Sequence, residues 1–355
     1  MDISTGIDLA VRNLTSVPVL AFVLGLLAIT LVRTELKLPD PVYRGISVYL
    51  LLAIGLKGGV ALRESGVLAV ALPASAAVAL GLLIPLGAFL LLGLITRLGA
   101  LDRGAMAAHY GSTSLVTFTA ALTLIETLEL PLEGHVATLV VIMEVPGIIV
   151  GLALAQRARM RAAASVAVHT SPTRSYGSLV VDERSPDAQP TSTMATAVRE
   201  AITGPSVLLM VGGLVVGYAA GTAGYESVAP VFSGLFTGVL ALFLLHLGVV
   251  AGGRLREVRQ AGPGLLLFAL LFPLTVGSAG VLAGAVIGMS TGGAAVLGVL
   301  CASASYIAAP AAVGLALPEA DAGLCLTSSL ALTFPFNLLV GIPVLTSLSM
   351  VVIPI

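Results

Sequence analysis

Two short polar runs interrupt long apolar segments of the chain. The first run is Gly111, Ser112, Thr113 and Ser114, and the second is Ser303, Ala304, Ser305 and Tyr306, followed at position 310 by proline. Glycine tolerates non-helical backbone and proline removes a helical donor, so both runs predict breaks in helices. The N–H groups that begin a half-helix favour an anion, whereas freed carbonyls and hydroxyls favour Na⁺. These eight residues are therefore the candidate substrate-binding residues.

Four ionisable residues lie within apolar segments: Lys57, His109, Glu144 and His246. A charge at such depth is costly and is expected to face a cavity or a partner. Three roles stay open for Glu144: coordinating Na⁺, pairing with Lys57, or carrying a proton. Lys57 can instead extend outward to water, and the two histidines are interpreted as hydrogen-bonded core residues.

The candidates for ion coupling combine this carboxylate with hydroxyls of the two runs. They are Glu144, Ser114 and Ser305. A Na⁺ position is expected near Ser112, Thr113, Ser303 and Glu144. No other cofactor is predicted, because Cys301 and Cys325 lie in apolar segments without metal-ligand spacing.

Composition identifies the class of protein. The 355 residues are 57% hydrophobic and only 10% charged, with a mean hydropathy of +1.08 and a formal net charge of -1. A soluble enzyme cannot bury so much apolar surface, and no basic face is available for nucleic acid. A membrane enzyme is disfavoured because no nucleophile and base pair is recognisable. The composition predicts an all-α integral membrane protein whose first partner is the lipid bilayer.

About ten membrane-spanning helices are expected. They cover residues 15–32, 43–62, 68–95, 103–125, 134–155, 203–222, 229–252, 263–286, 292–315 and 323–350. A hydrophilic stretch rich in Ser, Thr, Ala and Pro divides them. The expected organisation is a first membrane repeat at 1–156, a flexible cytoplasmic connector at 157–200 and a second membrane repeat at 201–355.

Lysine and arginine predict the orientation, because cytoplasmic loops carry their excess. With the connector inside, fourteen of the 17 Lys and Arg residues are cytoplasmic, leaving Arg12 and Arg63 outside and Lys57 in the membrane. Both termini are then outside. The protein is expected to be a multi-pass protein of the bacterial plasma (inner) membrane.

The two halves show a repeated pattern. Residues 41–45 (Pro-Val-Tyr-Arg-Gly) are matched 189 positions later by residues 230–234 (Pro-Val-Phe-Ser-Gly), and Pro146 is matched by Pro335 at the same offset. The two polar runs match at an offset of 191. An odd number of spans in each half makes the repeats inverted, so the broken helices 4 and 9 are expected to cross near the membrane midplane.

The chain resembles the SbtA-type sodium-dependent bicarbonate transporters, in their broader bacterial branch. The resemblance rests on residues 55–61, 111–114, 120–124, 143–146 and 303–310, which keep the family's order and spacing. It implies Na⁺-coupled uptake of bicarbonate, a homotrimer and, in some members, a cytoplasmic PII-like regulator. In cyanobacterial members the ninth-span run resembles Ser-Ser-Ser-Ser-Asp, whereas Tyr306 ends the run here; the fifth-span acid there is Asp, and here it is Glu144.

These observations predict a secondary active transporter that imports a small anion, bicarbonate by resemblance, by alternating access. One alternative is a carrier of the same fold for another small carboxylate, driven by protons through Glu144. Another is a membrane receptor or regulatory subunit without transport, whose Arg157, Arg159 and Arg161 would dock a partner.

Overall fold

The computed structural model describes residues 3–33, 36–169, 194–258 and 262–353. Within these ranges the regular structure is helical, without strands. A helix satisfies its backbone hydrogen bonds locally, which a bilayer demands because it offers no water as a substitute. The predicted all-α membrane protein is confirmed.

The helices before the connector are α1 (Ile3–Leu14), α2 (Val17–Leu27), α3 (Asp40–Ser65), α4 (Val67–Ile95), α5 (Ala100–Gly111), α6 (Leu115–Thr127) and α7 (Val136–His169). Those after it are α8 (Met194–Thr203), α9 (Pro205–Glu226), α10 (Phe236–Val258), α11 (Gly262–Val286), α12 (Thr291–Ala302), α13 (Ala308–Ala316), α14 (Ala322–Leu326), α15 (Phe334–Phe336) and α16 (Ile342–Val352). Short π-helical turns occupy Ala28–Val32, Pro230–Gly234, Thr327–Thr333 and Asn337–Gly341.

Among the described residues, seven continuous helices are long and apolar enough to cross a membrane. An eighth candidate is the pair formed by α1 and α2 with its π-helical extension, bent by 63°. The predicted spans at 103–125 and 292–315 are split into α5 with α6 and α12 with α13. Each split segment therefore lacks a continuous helix of spanning length.

Three features differ from the expected elements. Helix α1 precedes the first predicted span, and the predicted span at 323–350 contains two π-helical stretches. Helix α7 continues as far as His169, within the stretch expected to be a connector, and α8 includes residues 194–200. The rest of that connector, residues 170–193, lies outside the described residues.

Glycines bring two helix pairs into close contact. Helix α2 packs along α10, and α3 packs along α9. A Cβ on Gly59 would overlap the Leu214 carbonyl oxygen, and one on Gly248 would overlap the Phe22 carbonyl oxygen. Small residues of this kind allow helix backbones to approach in a membrane. These helices, α2, α3, α9 and α10, are termed the four-helix unit.

The remaining membrane helices, α4–α7 and α11–α16, form a second group, termed the crossing unit. Helix α7 packs on α5 and α4, and α12 packs on α11 and α16. Loops fasten this unit at both ends. The backbone N–H and the hydroxyl of Ser290 donate to the Glu133 carboxylate at 2.5 and 2.7 Å. At the other end, the N–H of Asp321 donates to Asp102 at 2.9 Å.

Candidate functional site

Both predicted breaks are present in the crossing unit. Helix α5 ends at Gly111, and Ser112 is extended, with φ -105° and ψ 147°. Helix α12 ends at Ala302, and Ser303 is likewise extended, with φ -80° and ψ 161°. Ser114 starts α6 by accepting a hydrogen bond from the Thr117 N–H at 3.3 Å. The sequence therefore breaks both helices at its polar runs.

Gly111 has a packing role as well as a conformational one. A Cβ at this position would lie 2.8 Å from the Pro85 side chain and 2.9 Å from the Gly147 Cα. Those neighbours belong to α4 and α7, so the first break lies in tight contact with two helices. Any larger residue would push the break out of position.

The two breaks hydrogen-bond to each other. The Ser305 N–H donates to the carbonyls of His109 at 2.8 Å and Ser112 at 3.1 Å. In return, the Ser114 N–H donates to the Ser303 hydroxyl at 2.9 Å. His109 Nδ1 lies 2.8 Å from the Ser305 carbonyl oxygen, which can only accept, so this ring nitrogen carries a proton. Backbone groups freed at one break are thus satisfied by the other.

A small cavity of about 20 Å³ lies beside this contact. It is lined by Leu51, Thr113, Ser114, Leu115, Glu144, Ser206, Ser305, Tyr306 and Ile307. Leu115 is the first residue of α6, and Ile307 directly precedes α13. The N-terminal ends of both half-helices therefore border the same cavity, each contributing partial positive charge.

Two polar atoms at this cavity have no hydrogen-bond partner in the described part of the chain: Glu144 Oε2 and the Tyr306 hydroxyl. Glu144 is only 6% exposed. Tyr306 packs edge-on against Phe334, with ring centroids 5.4 Å apart. Buried polar groups are normally paired, so these two atoms mark a place where a ligand can bind. The carboxylate can accept a cation, and the phenol can donate to an anion.

The structure brings together only some of the predicted site residues at the cavity. Thr113, Ser114, Ser305, Tyr306 and Glu144 line it. Four others lie in the break contact without lining the cavity: Gly111, Ser112, Ser303 and Ala304.

Ser206 lines the cavity but was not among the predicted residues. It lies in the first turn of α9, directly after Pro205. A serine at a helix start carries no local signal of a site, and only the packing of α9 against the crossing unit brings it there.

Lys57 does not pair with Glu144. Its Nζ lies 4.0 Å from Glu126 Oε1 and 5.4 Å from the ring centroid of Phe236. The pairing interpretation of Glu144 is therefore wrong, and Lys57 extends toward Glu126 and Phe236 instead. His246 Nδ1 accepts from the Leu38 N–H at 3.1 Å, so this histidine, like His109, is hydrogen-bonded within the protein.

A second cavity, termed the vestibule, adjoins the first. Its volume is about 400 Å³, and it shares Leu51, Leu115, Ser206 and Ile307 with the smaller cavity. Its other lining residues include Arg44 and Gly204, near the starts of α3 and α9. The vestibule therefore leads from the breaks, between the two units, to the end of the molecule where α8 is followed by α9.

The break contact makes a testable prediction about stability. In Ser303→Ala the buried Ser114 N–H loses its acceptor, which should lower the free energy of unfolding by about 1–3 kcal/mol. Ser112→Ala is the matched control, because the Ser112 hydroxyl has no partner among the described residues. Thermal melts of the far-UV circular dichroism in detergent measure both variants without needing tryptophan, which the chain lacks. Equal midpoints for the two variants would contradict the proposed role of Ser303.

Comparisons with known proteins give one result at the level of the family. No curated protein sequence matches the chain. The family model of the Na⁺-dependent bicarbonate transporter superfamily matches residues 18–350, which include both breaks and Glu144. The expected resemblance is thereby confirmed: the chain belongs to the Na⁺-dependent bicarbonate transporter superfamily.

Proposed function

We propose that the protein imports bicarbonate together with Na⁺ by alternating access. The observation that carries this proposal is the cavity where both half-helix N-termini, Tyr306 and Glu144 meet. In this cavity, groups that favour an anion lie close to a group that favours a cation. A symporter needs binding groups for both ions at the place where its moving parts meet.

We infer that the anion binds at the half-helix ends. Bicarbonate has oxygens that accept hydrogen bonds, and it would receive them from the first N–H groups of α6 and α13 and from the hydroxyls of Thr113 and Tyr306. Among the residues that the structure describes, no Lys or Arg lines this cavity. Partial charges from helix ends hold an anion less tightly than a buried cation would, which suits a substrate that must be released.

We infer that Na⁺ binds next to Glu144. Na⁺ favours oxygen ligands, and Glu144 Oε2 is a buried carboxylate oxygen that no described residue engages. Hydroxyls of Thr113, Ser114 and Ser305 line the same cavity. A bound Na⁺ would offset the buried carboxylate and raise affinity for the anion, so the two ions would bind cooperatively.

The expected inverted repeat supports this mechanism. Helix α2 packs on α10 as α9 packs on α3. Similarly, α5 packs on α7 and α4, while α12 packs on α16 and α11. Exchanging the corresponding helices of the two halves converts one set of contacts into the other, which supports a repeat with the sequence offsets near 190. We therefore propose ten spans in two inverted five-helix repeats, with α5–α6 and α12–α13 as the crossing spans.

Side-chain contacts indicate which residues share an end of the molecule. At one end of the molecule, Arg159 forms an ion pair with Glu319, and the Thr327 hydroxyl donates to the Glu257 carboxylate. This is the end where the connector begins, and we propose that it is cytoplasmic, because the Lys and Arg excess lies there. At the opposite end, Arg63 donates to the Tyr218 carbonyl at 3.1 Å. Both termini are then outside.

The size of the cavity indicates that the protein must change shape during transport. About 20 Å³ is room for roughly one water, whereas bicarbonate has four heavy atoms. The cavity also lies between the two units, since Leu51 and Ser206 come from the four-helix unit. Movement of one unit against the other would widen it toward the vestibule. We propose that the structure is closed at the outer side and that the vestibule is the inward path.

Assembly and regulation are proposed from the family resemblance. The protein is expected to form a homotrimer in the bacterial plasma membrane. A PII-like protein is a candidate cytoplasmic regulator that would act near the connector.

Uptake of labelled bicarbonate into proteoliposomes tests the function. Wild type should accumulate label only with an inward Na⁺ gradient. Tyr306→Phe removes one buried donor and should reduce uptake about tenfold or more, the value of one hydrogen bond to a charged group. Tyr218→Phe, on an exposed side chain of α9, is the matched control and should transport like wild type. Wild-type uptake that does not depend on a Na⁺ gradient would exclude the proposed coupling. Normal uptake by Tyr306→Phe would exclude the proposed anion contact.

A proton-driven carrier of another small carboxylate is the second candidate, because Glu144 is the one carboxylic acid among the described residues that line the cavity. Glu144→Gln separates the two. In a Na⁺ symporter it should raise the Na⁺ concentration for half-maximal uptake by about tenfold, since a charged ligand is replaced by a neutral one. In a proton-driven carrier it should abolish the pH dependence of uptake. Glu226→Gln, at the exposed end of α9, is the control, and an unaltered Glu144→Gln would rule out both roles.

A further inference from the structure

A second polar feature lies on another part of the crossing unit. A groove of about 450 Å³ runs between α4, α5 and α7 and shares no residue with the cavity at the breaks. It is termed the arginine groove, after its three arginines. Its principal lining residues are Leu86, Phe89, Leu90, Arg103, Arg157 and Arg161.

The three arginines have no acidic partner within the described ranges. Arg103 lies over the Phe89 ring, 4.8 Å from its centroid, and its buried Nε has no hydrogen-bond acceptor there. The neighbouring Asp102 accepts instead from the Asp321 N–H. By contrast, Arg159, on the same helix as the other two arginines, pairs with Glu319 at 3.2 Å. The groove therefore concentrates unneutralised positive charge.

The surroundings of the groove are apolar and face outward. Leu90 is 66% exposed and Leu94, one turn further along α4, is 82% exposed. On a membrane-spanning helix, exposed leucines face acyl chains. Ala100, the first residue of α5, also lines the groove, so the positive end of a helix dipole borders it. The groove thus lies where the apolar part of α4 ends, at the level of lipid headgroups.

We propose that the arginine groove binds an anionic phospholipid. The phosphate would be held by Arg103, Arg157 and Arg161, and the acyl chains would lie along the leucines of α4. Planar guanidinium groups match phosphate oxygens with paired hydrogen bonds. A basic pocket between membrane helices at the headgroup level is suited to such a lipid. A soluble anion would leave the adjoining leucine surface unused. This proposal requires only that the chain spans a membrane and is independent of what it transports.

Native mass spectrometry of the purified protein tests the proposal. Phosphatidylglycerol and phosphatidylcholine with identical acyl chains are the two lipid probes, and glycerol 3-phosphate is the soluble probe. Phosphatidylglycerol should bind more tightly than phosphatidylcholine, and glycerol 3-phosphate should not displace it. Arg157→Gln with Arg161→Gln should weaken phosphatidylglycerol binding about 25-fold, because each of the two arginines near a phosphate contributes about fivefold.

The matched control is Arg97→Gln with Arg159→Gln. It removes the same charge at the same end of the molecule, but neither residue lines the groove. This control should bind phosphatidylglycerol like wild type. The single variant Arg161→Gln, which changes an exposed side chain, should bind phosphatidylglycerol about fivefold more weakly than wild type. It replaces the double variant if the double variant does not fold. Equal binding of both lipids, equal losses in groove and control variants, or full displacement by glycerol 3-phosphate would overturn the proposal.

Discussion

The structure depends on how backbone groups are satisfied where two helices break inside the membrane. An unpaired N–H or C=O in the hydrocarbon region costs several kcal/mol, so a broken helix needs a partner at the same depth. Here each break supplies the partner of the other. Ser305 N–H binds carbonyls at the end of α5, and the Ser303 hydroxyl accepts from Ser114. Neither break is satisfied in this way without the other, which explains why they occur as a pair.

This mutual satisfaction also creates the candidate site. The hydrogen bonds between the breaks engage the end of α5 and the Ser303 hydroxyl after α12, and Leu115 at the start of α6 and Ile307 just before α13 border the cavity. Glu144 and Tyr306 complete its polar lining. The four-helix unit closes the cavity with Leu51 and Ser206, so a shift between the units changes the size of the site. The candidate ligand groups therefore belong to one unit, and the residues that cover the cavity belong to the other.

Much of this arrangement could be predicted from the sequence, because its causes are local. Glycine, serine and proline in apolar segments locate the breaks, and the depth of Glu144 marks it as a candidate site residue. Tertiary contacts decide the rest. The π-helical stretch at Thr327–Thr333 accompanies hydrogen bonds between the Tyr110 hydroxyl and the hydroxyls of Ser328 and Thr333, at 2.8 and 2.6 Å. The partner of Lys57 and the position of Ser206 likewise depend on which helices pack together, which single residues do not reveal.

The central claim is that the cavity between the breaks holds bicarbonate and Na⁺ together. Ser206→Cys introduces a thiol where the cavity meets the vestibule, while the native Cys301 and Cys325 are buried and provide an unreactive background. The most direct measurement is the rate at which a small maleimide labels this thiol in proteoliposomes, with each ion alone and with both. The account predicts that bicarbonate and Na⁺ together slow labelling far more than either ion alone. A labelling rate that neither ion changes, in a variant that still transports bicarbonate, would contradict it.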